Sequence, residues 1–188
     1  IVYVTNTQYD GNLGGLAGAD AKCETEKSTY GIISSVVVKA LLAANDTNGT
    51  TPLRRACVTG ECVTNGVNEH SGWVISPGKA YRRPDATLYW TFGALGVYTL
   101  SSYPNTPWSM GGNDSNVKAW SGMLAGSSAD IWTTSSITCK DGSGNAWSNN
   151  SAGVNGMGAT IGWPNPYNMV GGDTVACNQT RRLVCVTQ

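Results

Sequence analysis

Tyr9-Asp10-Gly11-Asn12-Leu13-Gly14-Gly15-Leu16-Ala17-Gly18-Ala19-Asp20-Ala21-Lys22-Cys23 carries the reading of the fold. Asn12 to Gly15 is a turn. Leu16, Ala19 and Cys23 then recur at helical spacing and share one face. Gly31 supplies a stop, so the pattern predicts a helix over about residues 16–28. That helix turns Cys23 toward the core. It is the one helix the sequence supports.

Working outward, Ile1-Val2-Tyr3-Val4-Thr5 reads as a strand, and Ile32 to Ala44 as one or two apolar, β-branched strands. Trp73-Val74-Ile75 starts a strand, and Pro77-Gly78 is a turn. Leu88 to Phe92 and Val97 to Leu100 read as a strand pair around Gly93-Ala94-Leu95-Gly96. Residues 101–116 form a loop rich in Pro, Gly and Asn that holds Trp108. Lys140 to Gly172 is a long stretch of Gly, Asn and Ser, expected to be irregular and either functional or pinned by bridges. Arg181 to Val186 alternates and ends as a strand.

Composition narrows the function. Of 188 residues only 13% are charged, and twelve Lys plus Arg balance twelve Asp plus Glu. A neutral chain has no field to steer it toward nucleic acid or an anionic membrane. Seventeen Ser, 20 Thr, 16 Asn and 24 Gly suit turns and short strands on an uncharged, hydrogen-bonding surface. Seven Trp and eight Tyr argue against disorder. No apolar run is long enough to span a membrane. The length fits a single domain over residues 1–188.

The six cysteines lie at positions 23, 57, 62, 139, 177 and 185, and no pair has CxxC spacing. One histidine, His70, cannot complete a zinc cluster. Three disulfides in an oxidising compartment are therefore expected, with fifteen connectivities open. The opening at Ile1 is expected of a processed, secreted chain. Sequons at Asn45, Asn48, Asn113, Asn149 and Asn178 add weak support for an outside location.

The Tyr9 to Cys23 block resembles the start of the endostatin-like domain of spirochaete outer-surface proteins. Lys39-Ala40-Leu41-Leu42, Arg54-Arg55-Ala56-Cys57 and Trp73-Val74-Ile75 resemble its middle, as do Tyr81-Arg82-Arg83-Pro84-Asp85 and Gly96-Val97-Tyr98. Trp120-Ser121-Gly122, Cys139 and Arg182-Leu183-Val184-Cys185-Val186 resemble its end. The resemblance implies an α+β, C-type lectin-like fold with few helices, twisted antiparallel strands, long disulfide-pinned loops and joined termini. It also implies the pairs Cys23–Cys185 and Cys139–Cys177, which leave Cys57–Cys62.

Several residues are candidates for recognition. Trp108, Trp147, Trp163 and Tyr167 lie in the loop stretches; exposed, they would stack on sugars or anchor a protein partner, and buried they would fill core. All six arginines occur as adjacent pairs, Arg54-Arg55, Arg82-Arg83 and Arg181-Arg182. Strand neighbours point to opposite faces, so one of each pair is expected inward on a carboxylate or carbonyl. The outward members, among them Arg55 and Arg82, would grip an anionic surface if they converged.

Lectin sites of this fold use Glu-Pro-Asn or Gln-Pro-Asn and Trp-Asn-Asp. Here Trp163-Pro164-Asn165 stands instead, with Asn168 and Asp173 following. One carboxylate is little charge for calcium, so no cofactor is expected and these three are only weak calcium candidates. No serine lies in Gly-x-Ser-x-Gly, Glu69-His70 has no second histidine, and no carboxylate pair is singled out, so no enzyme is expected.

The resulting expectation is an adhesin of the bacterial surface or outer membrane, secreted or anchored, without a transmembrane segment. Its loop surface, about residues 101–175, would bind an extracellular protein of the host matrix or complement type. Alternatives are a filament or coat subunit that packs against copies of itself, with Ile1 to Thr5 as an exposed edge, and a glycan-binding module.

Overall fold

The computed structural model describes residues 1–45, 52–57, 62–97, 104, 106–109, 114–124, 132–163 and 165–188. The elements begin with β1 (Val2–Val4), α1 (Gly15–Glu26), β2 (Val38–Ala40), β3 (Ala44–Asn45), β4 (Pro52–Arg54), β5 (Val63–Thr64) and β6 (Val67–Asn68). They continue with β7 (Ala80–Arg82), β8 (Leu88–Thr91), β9 (Lys118–Trp120), β10 (Asn155–Thr160), α2 (Pro166–Val170), β11 (Gly172–Ala176) and β12 (Val184–Thr187). The class is α+β. Among the described residues, two three-stranded sheets, β1-β12-β2 and β11-β10-β9, are joined by three two-stranded ribbons. All the strand pairs are antiparallel.

The helix forms where the spacing places it. Ala19 and Cys23 are fully buried, and a 3-10 turn from Lys27 to Tyr30 ends at Gly31, whose φ of 71° suits glycine. The acidic residues of α1 then meet the free edge of β2. Glu24 accepts the Val38 N–H at 2.5 Å, and Asp20 accepts the Ala40 N–H at 2.9 Å. An exposed strand edge is thus satisfied by carboxylates in place of a further strand. On the far side of the sheet the first and last strands pair, Val2 opposite Val186 and Val4 opposite Val184.

All six cysteines are paired: Cys23–Cys185, Cys57–Cys62 and Cys139–Cys177. The first ties α1 to β12 across 162 positions of sequence. The pairing is the one the resemblance implied.

Four strand expectations differ from the structure. Trp73-Val74-Ile75 is irregular, and Val74 and Ile75 are both buried, so the segment does not alternate. The Val74 carbonyl accepts from Gln188 Nε2 at 3.1 Å in place of a ladder partner. Leu88–Thr91 does form a strand, but it pairs with Ala80–Arg82; residues 98–100 lie outside the described set. The Arg181 to Val186 run does not alternate. Leu183 to Val186 are all buried, because β12 is the central strand, with buried residues of both hydrophobic clusters on its two faces.

The fourth concerns Lys140 to Gly172, which contains β10 and α2. Glycine-rich β10 (Asn155-Gly156-Met157-Gly158-Ala159-Thr160) is the middle strand of its sheet. A Cβ at Gly156 would press on Cys139 Sγ and the Trp120 ring, so close packing, and not strand propensity, selects the residue.

Candidate binding surface

The loop tryptophans divide. Trp147 is 0% exposed, and its Nε1 donates to the Ala43 carbonyl at 3.0 Å. Its ring lies 5.6 Å from that of Trp120, whose Nε1 donates to the Tyr9 carbonyl. Trp108 is 1% exposed and stacks on Tyr89 at 4.1 Å. Both are core residues, which corrects the expectation of platforms at these two positions. Burying such large rings is the main apolar gain available to a chain with few long aliphatic side chains.

Trp163 is different. It follows β10 directly and is 46% exposed. Its backbone is fixed on both sides. The Asp114 N–H donates to the Gly162 carbonyl at 2.7 Å, and the Asn165 N–H donates to the Trp163 carbonyl at 2.8 Å. Tyr167 lies in α2, and its side chain is outside the described set.

Asn165 caps α2. Its carbonyl accepts the Met169 N–H and its Oδ1 accepts the Asn168 N–H at 3.3 Å, while Pro166 opens the helix. Asp173, on β11, faces Arg181 at 3.6 Å. The weak calcium candidates therefore have structural work: Asn165 as a helix cap and Asp173 as the partner of an arginine.

In two of the arginine pairs one member lies deeper than its neighbour, Arg54 than Arg55 and Arg83 than Arg82, whereas Arg181 and Arg182 are both half-buried. Arg54 is buried against Asp20 with two hydrogen bonds, 2.8 and 2.7 Å. Arg83 donates to the Ser109 carbonyl at 3.1 Å and faces Asp85 at 3.5 Å. Arg182 donates through Nη1 to the Thr5 and Asn6 carbonyls. The other member of each pair is also held locally. Arg55 donates to the Glu69 carbonyl, Arg82 to the Ala86 carbonyl and Arg181 to the Thr180 carbonyl. They sit on separate elements: Arg55 beside β4, Arg82 on β7 and Arg181 bridging to Tyr9.

His70 lies 6.4 Å from the Trp73 ring, and burial pushes its pKa down against the pull of Glu69. Glu26 was not singled out by sequence. Burial alone would raise its pKa, but bonds from Thr7, Asn6 and Tyr9 outweigh that and hold it below the ordinary value. The edge expected at Ile1 to Thr5 is largely covered: Val2, Tyr3 and Thr5 are buried and the Val4 carbonyl is taken by the Tyr30 hydroxyl, while Ile1 is exposed.

Residues 6–162 match the model of a family described as a protein of unknown function, DUF1554. The chain belongs to that family. The matched range spans α1, the ribbons and β10, and stops one residue before Trp163. No curated protein matches the sequence. No described helix is long and apolar enough to cross a membrane.

Proposed function

We propose that this DUF1554 chain is an extracellular recognition domain of a bacterial surface, an adhesin with a C-type lectin-like, endostatin-like fold. Its target is another protein, of the host matrix or complement-regulator kind that the sequence resemblance implies. Three disulfides and a paired first and last strand support a scaffold that stays ordered in an oxidising medium. The observation that carries the reading is Trp163. It is a large, half-exposed aromatic on a backbone tied down on both sides, in a molecule that buries Trp108 and Trp147. Tryptophan in such a setting is the residue type most enriched among binding hot spots.

The test is surface plasmon resonance against purified matrix proteins and complement regulators. Trp163→Ala should weaken binding by about 2 kcal/mol, roughly 30-fold, with an unchanged melting temperature. Binding to none of these proteins would refute the reading. Binding that the variant leaves intact would remove Trp163 as the anchor.

A further inference from the structure

A cleft of about 220 Å³ opens between the end of β1, the 3-10 turn after α1 and the segment leading into β12. Tyr3 and Tyr30, stacked at 4.4 Å, form one wall. Pro84 and Val117 line it with further apolar surface. Two polar side chains in this lining have unused capacity. Arg182 spends Nη1 on the Thr5 and Asn6 carbonyls, each at 2.5 Å. A guanidinium has five N–H donors, so Nε–H and both Nη2 hydrogens are without a partner among the described residues. Ser109 is 7% exposed, and its Oγ has no hydrogen-bond partner among them. A buried hydroxyl in that condition is unfavourable unless something meets it.

The charges around the cleft select the ligand. Of the nearby carboxylates, Glu26 accepts from the Asn6 and Thr7 N–H groups and the Tyr9 hydroxyl, and Asp114 accepts from the Asn116 N–H. Arg83 and Arg181 already face Asp85 and Asp173, and Lys118 donates to Thr160. Nε of Arg83 and of Arg181 is buried without a partner among the described residues, but neither arginine is in the cleft lining, so Arg182 is the one cation among the described residues that line it. The Nε–H and Nη2–H edge of a guanidinium matches the two oxygens of a carboxylate, whereas a phosphate dianion calls for more positive charge. The volume exceeds the roughly 150 Å³ of an apolar cavity that holds benzene.

We propose that this cleft binds a monocarboxylate borne on an apolar arm about the size of one aromatic ring. Arg182 grips the carboxylate, Ser109 donates to it, and Tyr30, Pro84 and Val117 pack the arm. The proposal stands apart from the Trp163 surface and does not depend on it.

The test is an NMR titration of the disulfide-intact protein, following the Arg182 Nε–H and the amides of Val4 to Asn6 and Val117. The probes are phenylacetate, phenylacetamide, and a short peptide ending in phenylalanine as free acid or as amide. Saturable shifts are expected with the acids, and binding at least tenfold weaker with the amides. A response to phenylacetate alone assigns a free small acid; a response to the free-acid peptide assigns a chain end. Arg182→Lys keeps the charge and loses the fork, and should weaken phenylacetate at least tenfold. Ser109→Ala removes no partnered atom, and should weaken it several-fold even if Arg182→Lys does not fold. Equal binding of acid and amide, no saturable shift with either acid, or an affinity unchanged in Ser109→Ala would overturn the proposal.

Discussion

Asp20→Asn removes one charge from the pair that locks α1 to the first sheet and to β4. Arg54 Nη1 and Nη2 donate to Asp20 Oδ1 and Oδ2 at 2.8 and 2.7 Å, and Nη1 also reaches the Ala40 carbonyl at 2.9 Å. The Arg54 side chain is 8% exposed and that of Asp20 is 21% exposed. Removing one partner of a buried pair costs about 3–5 kcal/mol, because the other charge is stranded. The partial exposure of Asp20 puts this case at the lower end, about 3 kcal/mol. The retained Oδ1 still accepts from Ala40, which isolates the ionic part. For a chain of this size each kcal/mol lowers the melting temperature by roughly 2–4 °C, so a fall of roughly 6–12 °C is expected by circular dichroism. Asp20→Asn with Arg54→Met removes the stranded charge and should recover at least half of the loss. A loss under about 1 kcal/mol, or a double variant less stable than the single one, would refute the reasoning.

Joint replacement of Cys23 and Cys185 by Ala should remove about 5 kcal/mol in the chain-entropy account, since the bridge spans 162 positions; urea unfolding measures it. Replacing Cys57 and Cys62 opens a loop of separation 5 and should cost about 2 kcal/mol; equal losses would show that loop length does not govern these bridges. Glu26 has a lowered folded pKa, so its contribution is complete above the ordinary 4.5 and disappears as pH falls through the folded value. Melting followed from about pH 6 to 3 should therefore show a shallower acid loss for Glu26→Gln than for the parent chain; parallel curves would remove this carboxylate from the account.

Local patterns in the chain made some elements legible. The i, i+3, i+7 spacing of Leu16, Ala19 and Cys23 with Gly31 behind it gave the helix, because helical side-chain geometry is set within a few residues. The adjacency of the arginines gave a deeper and a shallower member for Arg54-Arg55 and Arg82-Arg83, because strand neighbours face opposite ways, but not for Arg181-Arg182, which are both half-buried. Cysteine spacing pointed to disulfides over a zinc cluster, and only the resemblance chose among the possible pairings. Trp163, Trp108 and Trp147 all lie in loop stretches, with nothing local to separate a platform from core filling. Their different burial follows from contacts with Ala43 and Tyr89, both distant in sequence.

Glycine content argued that the stretch from Lys140 to Gly172 is irregular, yet β10 is the middle of a sheet there. What decided it was room: only a residue without a side chain fits between Cys139, Trp120 and the neighbouring strands. The cleft beside Arg182 was equally invisible, since its walls come from residues 3 through 182 and no single window holds both Ser109 and Arg182. The amino-acid order alone thus determined the helix, the sulfur chemistry and the lack of a net field, all properties of neighbours or of totals. Which rings face water, which donors are left over and where a cavity stays open depend on chain segments meeting across the fold, and only the packed molecule decides them.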